Sequence, residues 1–282
     1  MGYTIKRLLP LFLFLFVFSY SVEGQVTIAP THVFMDGQTN FASFLVMNGT
    51  DNAQEVSVSF QFGYPASDSA GNTQMIYNDS MRAKQFSVAD DIRGFPQSFV
   101  LQPDQRQTIR LRMTNPQDYS DGTYWSRITT TSNPQSPPIE ASADEDAVTA
   151  QVNFKFEQVT TVFYQKGNLT TGLNVKDIYT RQSNQDSVVQ VFTDVKRTGN
   201  SPFLGSIGVT VKGPDGKKVY ERMHSTTVYF DVLKRMDIPF DQLENGKQYT
   251  AEIRFLPERS DISDEELVKT EPVSKSTTFT FE

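Results

Sequence analysis

The sequence predicts an all-β protein built as two β-sandwiches in tandem, held together without disulfides. Three observations predict it. Apolar residues recur with a period of two along most of the chain, turn-forming residues separate these runs, and a glycine shortly before a strand-opening tyrosine occurs twice, about one sandwich domain apart. The chain has 282 residues and no cysteine. An exported chain of this kind has to rely on core burial alone, which domains of roughly 125 residues can supply.

The first element is a leader. Lys6 and Arg7 precede an apolar run from Leu8 to Phe18, broken only by Pro10, and small residues follow at Ser21, Val22 and Gly24. This order of charged, apolar and small residues predicts a secretory signal peptide over residues 1–24, cleaved after Gly24. The run is too short for the roughly 20 residues of a membrane span, and no second long apolar run follows. The mature chain is therefore expected to carry no membrane span.

The strands follow in order. Val56, Val58, Phe60 and Phe62 alternate with Ser57, Ser59 and Gln61, and Ile109, Leu111 and Met113 alternate with Arg110 and Arg112. Val209 with Val211, Ile253 with Phe255, and Phe279 with Phe281 continue the habit. Turn signals at Asn48-Gly49, Gly213-Pro214-Asp215-Gly216 and Asn245-Gly246 separate them. The only helical signal is Ser263-Asp264-Glu265-Glu266, whose capping-box spacing predicts one short turn. Asn133 to Asp146, with Pro134, Pro137, Pro138 and Glu140, Asp144, Glu145 and Asp146, reads as a long solvated loop between two strong strands.

Gly122-Thr123-Tyr124 and Gly246-Lys247-Gln248-Tyr249 each place a tyrosine at the opening of a strand. In immunoglobulin-like sandwiches such a tyrosine bonds back to the preceding turn as a tyrosine corner. An antibody-type domain would carry cysteine two residues later, where this chain has Ser126 and Ala251. The expected domains are thus 25–165 and 166–282, both immunoglobulin-like, with the boundary at the polar cluster Gln165-Lys166-Gly167-Asn168.

Composition closes several functional classes. Without cysteine there is no thiol nucleophile, disulfide scaffold or Cys-ligated metal. The two histidines, His32 and His224, lie far apart in sequence, so a multi-His metal centre is not expected. The net charge of −7 argues against a nucleic-acid partner. No nucleophile elbow, phosphate loop or metalloprotease helix is present. We therefore expect no enzyme and no cofactor. Trp125 follows the corner tyrosine, a place where burial is expected rather than a sugar-binding platform.

One segment has a functional shape. Val148, Ala150, Val152, Phe154 and Phe156 alternate with Thr149, Gln151, Asn153 and Lys155; the phase then breaks, and Val159 restarts on odd numbers. Such a slip predicts a bulge or twist within one long strand. The apolar row is either sandwich core or an edge that receives a partner strand. Left in water, each large side chain would cost roughly 1.5–3 kcal/mol.

Here the chain resembles a family. Thr31-His32-Val33-Phe34-Met35-Asp36-Gly37 and Phe99-Val100-Leu101-Gln102-Pro103-Asp104-Gln105-Arg106-Gln107-Thr108-Ile109-Arg110 are similar to the opening strand and the Leu-Xaa-Pro-Gly…Val-Arg signature of the PapD-like periplasmic pilus chaperones. Val152, Phe154 and Phe156, running on to Val162-Phe163-Tyr164, resemble that family's alternating strand and terminal aromatic pair. The second half, through Arg197 to Gly205 and Tyr229-Phe230, resembles divergent chaperone-like proteins of Bacteroidota. The resemblance implies a non-enzymatic periplasmic chaperone that caps an incomplete pilin-like or other exported β-sandwich subunit by strand donation, and an outer-membrane assembly protein as a possible second partner. Its subunit-binding row would be Val148, Ala150, Val152, Phe154 and Phe156. Its basic anchor for the subunit's carboxylate falls on His32 and Thr161, neither of which supplies a fixed charge. The alternative is a secreted or surface tandem sandwich that keeps the fold without strand donation.

Overall fold

A computed structural model describes residues 25–135 and 155–282. The expected leader 1–24, residues 136–146 of the expected acidic loop and the positions Val148, Ala150, Val152 and Phe154 lie outside the described residues, while Asn133 and Pro134, expected in that loop, end a strand instead; of the predicted binding row only Phe156 is described.

The architecture is all-β, with two immunoglobulin-like sandwiches in tandem. In the first, β1 (Val26–Ala29), β2 (His32–Asp36), β3 (Phe41–Asn48) and β4 (Gln54–Gln61) are followed by a small hairpin, β5 (Tyr64–Ser67) and β6 (Thr73–Ile76). Helix α1 (Ser80–Phe86) comes next, then β7 (Ile92–Phe95), β8 (Ser98–Leu101), β9 (Arg106–Met113), β10 (Gly122–Pro134) and β11 (Phe156–Lys166). One sheet runs β1-β3-β9-β7 and the other β2-β11-β10-β4-β8. Pro30, which has no N–H to give a ladder, sits where the chain leaves the first sheet at β1 and enters the second at β2. Val33, Phe44, Val46, Val58, Ile109, Leu111, Ile128 and Val162 from the facing sheets fill the core.

The second sandwich contains β12 (Thr171–Ser183), β13 (Val188–Gly199), β14 (Phe203–Lys212), β15 (Lys218–Val228), β16 (Val232–Pro239), β17 (Gln248–Leu256) and β18 (Val273–Thr280). Its sheets run β12-β13-β16 and β15-β14-β17-β18, and Val191, Phe203, Ile207, Val209, Ile253 and Phe255 pack between them.

Both tyrosine corners form. Tyr124 Oη bonds back to Ser120, 3.2 Å from its Oγ, and Tyr249 Oη accepts from the Glu244 N–H at 2.7 Å. Ser126 and Ala251, at the positions of the missing cysteines, are fully buried. The chain turns between the sandwiches at Gly167, whose φ of 66° is left-handed and whose neighbour Asn168 donates its N–H to Asp121 Oδ2 at 3.0 Å.

Two expectations are corrected. Residues 263–266 form the predicted turn, but α1 was not predicted: Asp79 caps it by accepting the Arg82 N–H at 3.0 Å. The phase change after Phe156 is not a bulge within β11, because its pairing with β10 is unbroken from Ser132↔Phe156 to Gly122↔Lys166. Instead β11 buries both faces beyond residue 160. Val162 and Tyr164 enter the first core, and Phe163 on the opposite face joins an aromatic cluster with Tyr229 of the second sandwich.

Candidate functional site: the β11 edge and the cleft between the sandwiches

Strand β11 is covered by β10 on one side over its full length. On its other side β2 pairs in parallel with Thr161 to Gln165 only. Among the described residues no strand pairs with 157–160 on this side, which leaves a half-open edge, since β1 has already crossed to the other sheet. The Gln158 side-chain amide donates to the Val26 carbonyl at 2.6 Å and ties the edge loosely to β1. Phe156 and Val159 are 52% and 47% exposed on this stretch. A groove of about 450 Å³ adjoins it, lined by Val26, Gln54, Ser132, Pro134 and Phe156 among others. Backbone donors and acceptors beside exposed apolar side chains are what an added strand requires.

Further along β11 the edge runs into the cleft. His32 and Thr161, the two predicted anchor positions, are register partners in the β2–β11 ladder. Neither supplies a fixed charge, and the structure brings one in from the next strand. Arg127 is the ladder partner of Thr161 on β10. Its guanidinium donates to Thr161 Oγ1, to the Gly63 carbonyl at 3.1 Å and to Tyr229 Oη at 3.4 Å. No carboxylate pairs with it among the described residues. A guanidinium that is half-buried without a counter-ion retains capacity for an anion. Sequence reading missed Arg127; its one legible signal is that it is the only charged residue in β10.

The second sandwich completes the cleft. Arg259 holds Asp261 through two bonds of 2.9 and 2.6 Å and donates to Thr227 Oγ1 at 3.1 Å. Asp261 in turn lies 3.6 Å from His32 Nδ1. His32 stacks on Phe163 with ring centroids 6.2 Å apart. Burial, and then the positive charges of Arg259 and Arg127, lower the His32 pKa against the opposing pull of Asp261. Burial likewise lowers His224, with Arg222 and Lys234 adding to it.

These shifts carry a sign. Each histidine binds its proton less readily folded than unfolded, so the unfolded state takes up more protons below the ordinary value of 6.5. Stability is therefore expected to be fully present above pH 6.5 and to fall as the pH drops towards the lowered folded values. Urea midpoints measured at pH 7.5 and 5.5 check this. The double variant His32→Gln, His224→Gln should flatten the difference; an unchanged slope would assign it to carboxylates.

No family model matches the chain, and no curated protein matches it. Over about nine tenths of its length it is similar to solved pilus chaperones. The YadV chaperone aligns with 12% identity and a TM-score of 0.47, covering 91% of this chain and 100% of that one. The CsuC–CsuE chaperone–tip adhesion subunit complex of Acinetobacter baumannii aligns with 10% identity and a TM-score of 0.45, covering 89% and 98%. The Salmonella enterica SafA pilin in complex with the SafB chaperone aligns with 12% identity and a TM-score of 0.40, covering 91% and 98%.

Proposed function

We propose that this chain is a divergent, non-enzymatic member of the pilus-chaperone kind, with a leader over 1–24, an N-terminal domain over 25–165 and a C-terminal domain over 166–282. It acts in the periplasm, binding an incomplete β-sandwich subunit by strand addition along β11 and the residues that precede it. The observation that carries this reading is the half-open edge at 157–160. There a ladder stops on one side just where Phe156 and Val159 are exposed. In the sequence Val148, Ala150, Val152 and Phe154 alternate in phase with Phe156, and that row would fill vacant pockets of the client while the backbone supplies the ladder bonds. Arg127, beside Thr161 and His32, replaces the family's basic anchor and receives the client's terminal carboxylate. No nucleotide is consumed: the client leaves by exchange with another strand, at an outer-membrane assembly protein where one is present.

The test uses the double variant Phe154→Asp, Phe156→Asp and a co-expressed pilin-like subunit. At roughly 1.5–3 kcal/mol for each buried phenylalanine, subunit affinity should fall at least a hundredfold while the thermal midpoint stays within a few degrees. Unfolding of the variant alone would make these residues core and overturn the reading. Arg127→Ala should weaken binding of a subunit ending in a free carboxylate more than one ending in an amide. A wild-type chain that binds no such subunit and is recovered outside the cell would favour the secreted tandem-sandwich alternative.

A further inference from the structure

The outer face of the β1-β3-β9-β7 sheet has a composition that nothing above uses. Its four strands carry four arginines and no aspartate or glutamate, in a chain with 33 acidic against 26 basic residues. All four, Arg93, Arg106, Arg110 and Arg112, are exposed. They occupy the outward positions that alternate with the buried Ile109, Leu111 and Met113. Phe41 and Phe95 share this face and are 58% and 76% exposed.

The register sets out the pattern. Arg112 on the central strand β9 lies between Phe41 on β3 and Arg93 on β7. Arg110 lies between Ser43 and Phe95, and Arg106 lies opposite Met47. The Arg112 guanidinium sits over the Phe41 ring, 5.8 Å from its centre. Like charges directly opposite each other destabilise a strand pair, and Arg93 and Arg112 are such a pair. Exposed phenylalanines cost the chain further, and no ion pair relieves any of the four arginines among the described residues. A face with this composition is organised around an anion that also presents apolar surface.

We propose that this face docks on an anionic phospholipid surface. Guanidiniums take phosphate oxygens in a bidentate manner, and phenylalanines on either side of the central arginine row can enter the boundary between headgroups and acyl chains. The dimensions favour lipid over a stable protein complex. Four strands about 4.8 Å apart, over the length of the arginine rows, offer roughly 400 Å², half of the roughly 800 Å² per partner in a standard interface. A lipid surface needs no such area, because each arginine near it contributes separately. The net charge of −7 repels the rest of the molecule, so binding is oriented and salt-sensitive. The two sheets pack face to face, so this docking leaves the β11 edge on the far side of the sandwich. The inference does not depend on strand donation.

The experiment is flotation of the full-length chain with vesicles of phosphatidylcholine containing 30% phosphatidylglycerol, against vesicles of phosphatidylcholine alone, at low and high salt. We expect binding that requires the anionic lipid and falls at least tenfold at high salt. The Arg110→Ser, Arg112→Ser variant should weaken it about tenfold or more, and Phe41→Ser, Phe95→Ser should reduce it with the fold retained by circular dichroism. Any binding through the leader, with Lys6, Arg7 and the run from Leu8 to Phe18, is common to all variants, so the differences between variants report the sheet face. Equal binding by wild type and the arginine variant, or none by the folded wild type, overturns the proposal. Retention on immobilised poly-glutamate without vesicle binding would do the same, assigning the face to an acidic protein.

Discussion

Trp125→Ala is expected to cost about 3–5 kcal/mol of stability and to uncouple the two sandwiches. Trp125 is 1% exposed although it stands on β10, outside the core of its own sandwich. Its indole packs on Phe62 and Phe86 of the first sandwich, with centroids 5.6 and 5.2 Å away. It also packs on Tyr229 and Phe230 of the second, at 4.7 and 5.8 Å. Its Nε1 donates to the Gly63 carbonyl at 3.1 Å, an acceptor that Arg127 Nε also reaches. Alanine would therefore leave no orphaned carbonyl, and the loss falls on apolar contacts shared by the two sandwiches. Urea unfolding should change from one transition to two, with a larger radius of gyration before the first. A single transition displaced by less than about 1 kcal/mol would mean that the joint is held elsewhere. The candidate is the β5–β6 hairpin, where Ser67 Oγ accepts from the Leu233 N–H at 2.8 Å and the Ala70 carbonyl from Arg235 at 3.2 Å.

The joint also separates what was legible in the sequence from what was not. Strands buried on one face announce themselves by alternation, which is why β4, β9 and β17 and both tyrosine corners could be read directly. β11 could not, because alternation vanishes when a strand buries both faces: Val162 and Tyr164 face one way and Phe163 the other. A change of neighbour therefore looked like a change of phase. Helix α1 has no buried residue of its own and is too short to show a helical period. His32 and Thr161 were reached through the resemblance of their strands to the family's, and the β2–β11 ladder makes them register partners. Arg127 was not, because its place beside Thr161 is a matter of register between strands that the chain separates by the whole of the acidic loop.

Lys234→Met is expected to stabilise the protein at pH 7 by about 2 kcal/mol. Lys234 lies on β16, and burial alone lowers its pKa from 10.5 to about 8. Its Nζ donates to the Thr227 carbonyl at 3.1 Å, and no carboxylate pairs with it among the described residues. A lysine that protonates less readily when folded costs stability in full below the folded value, here about 8. The cost fades as the pH rises towards 10.5 and vanishes above it. At neutral pH it is about 3 kcal/mol, from about 1.4 kcal/mol per unit. Methionine keeps the length of the stem and removes the charge, at the loss of one hydrogen bond worth about 1 kcal/mol. The gain should accordingly shrink between pH 8 and 10.5 and reverse slightly beyond, as urea titrations across that range will measure. A destabilised variant at pH 7 would mean that the ammonium is hydrated and the burial penalty absent. Thr227, whose carbonyl Lys234 holds, accepts from Arg259 through its hydroxyl oxygen, and Arg259 holds the Asp261 that faces His32 across the cleft. Lys234 therefore adds positive charge behind a cleft already lined by Arg127 and Arg259. If that charge serves an incoming carboxylate, the stabilised Lys234→Met protein should bind a carboxylate-ended client more weakly than wild type, trading affinity for stability at a single position.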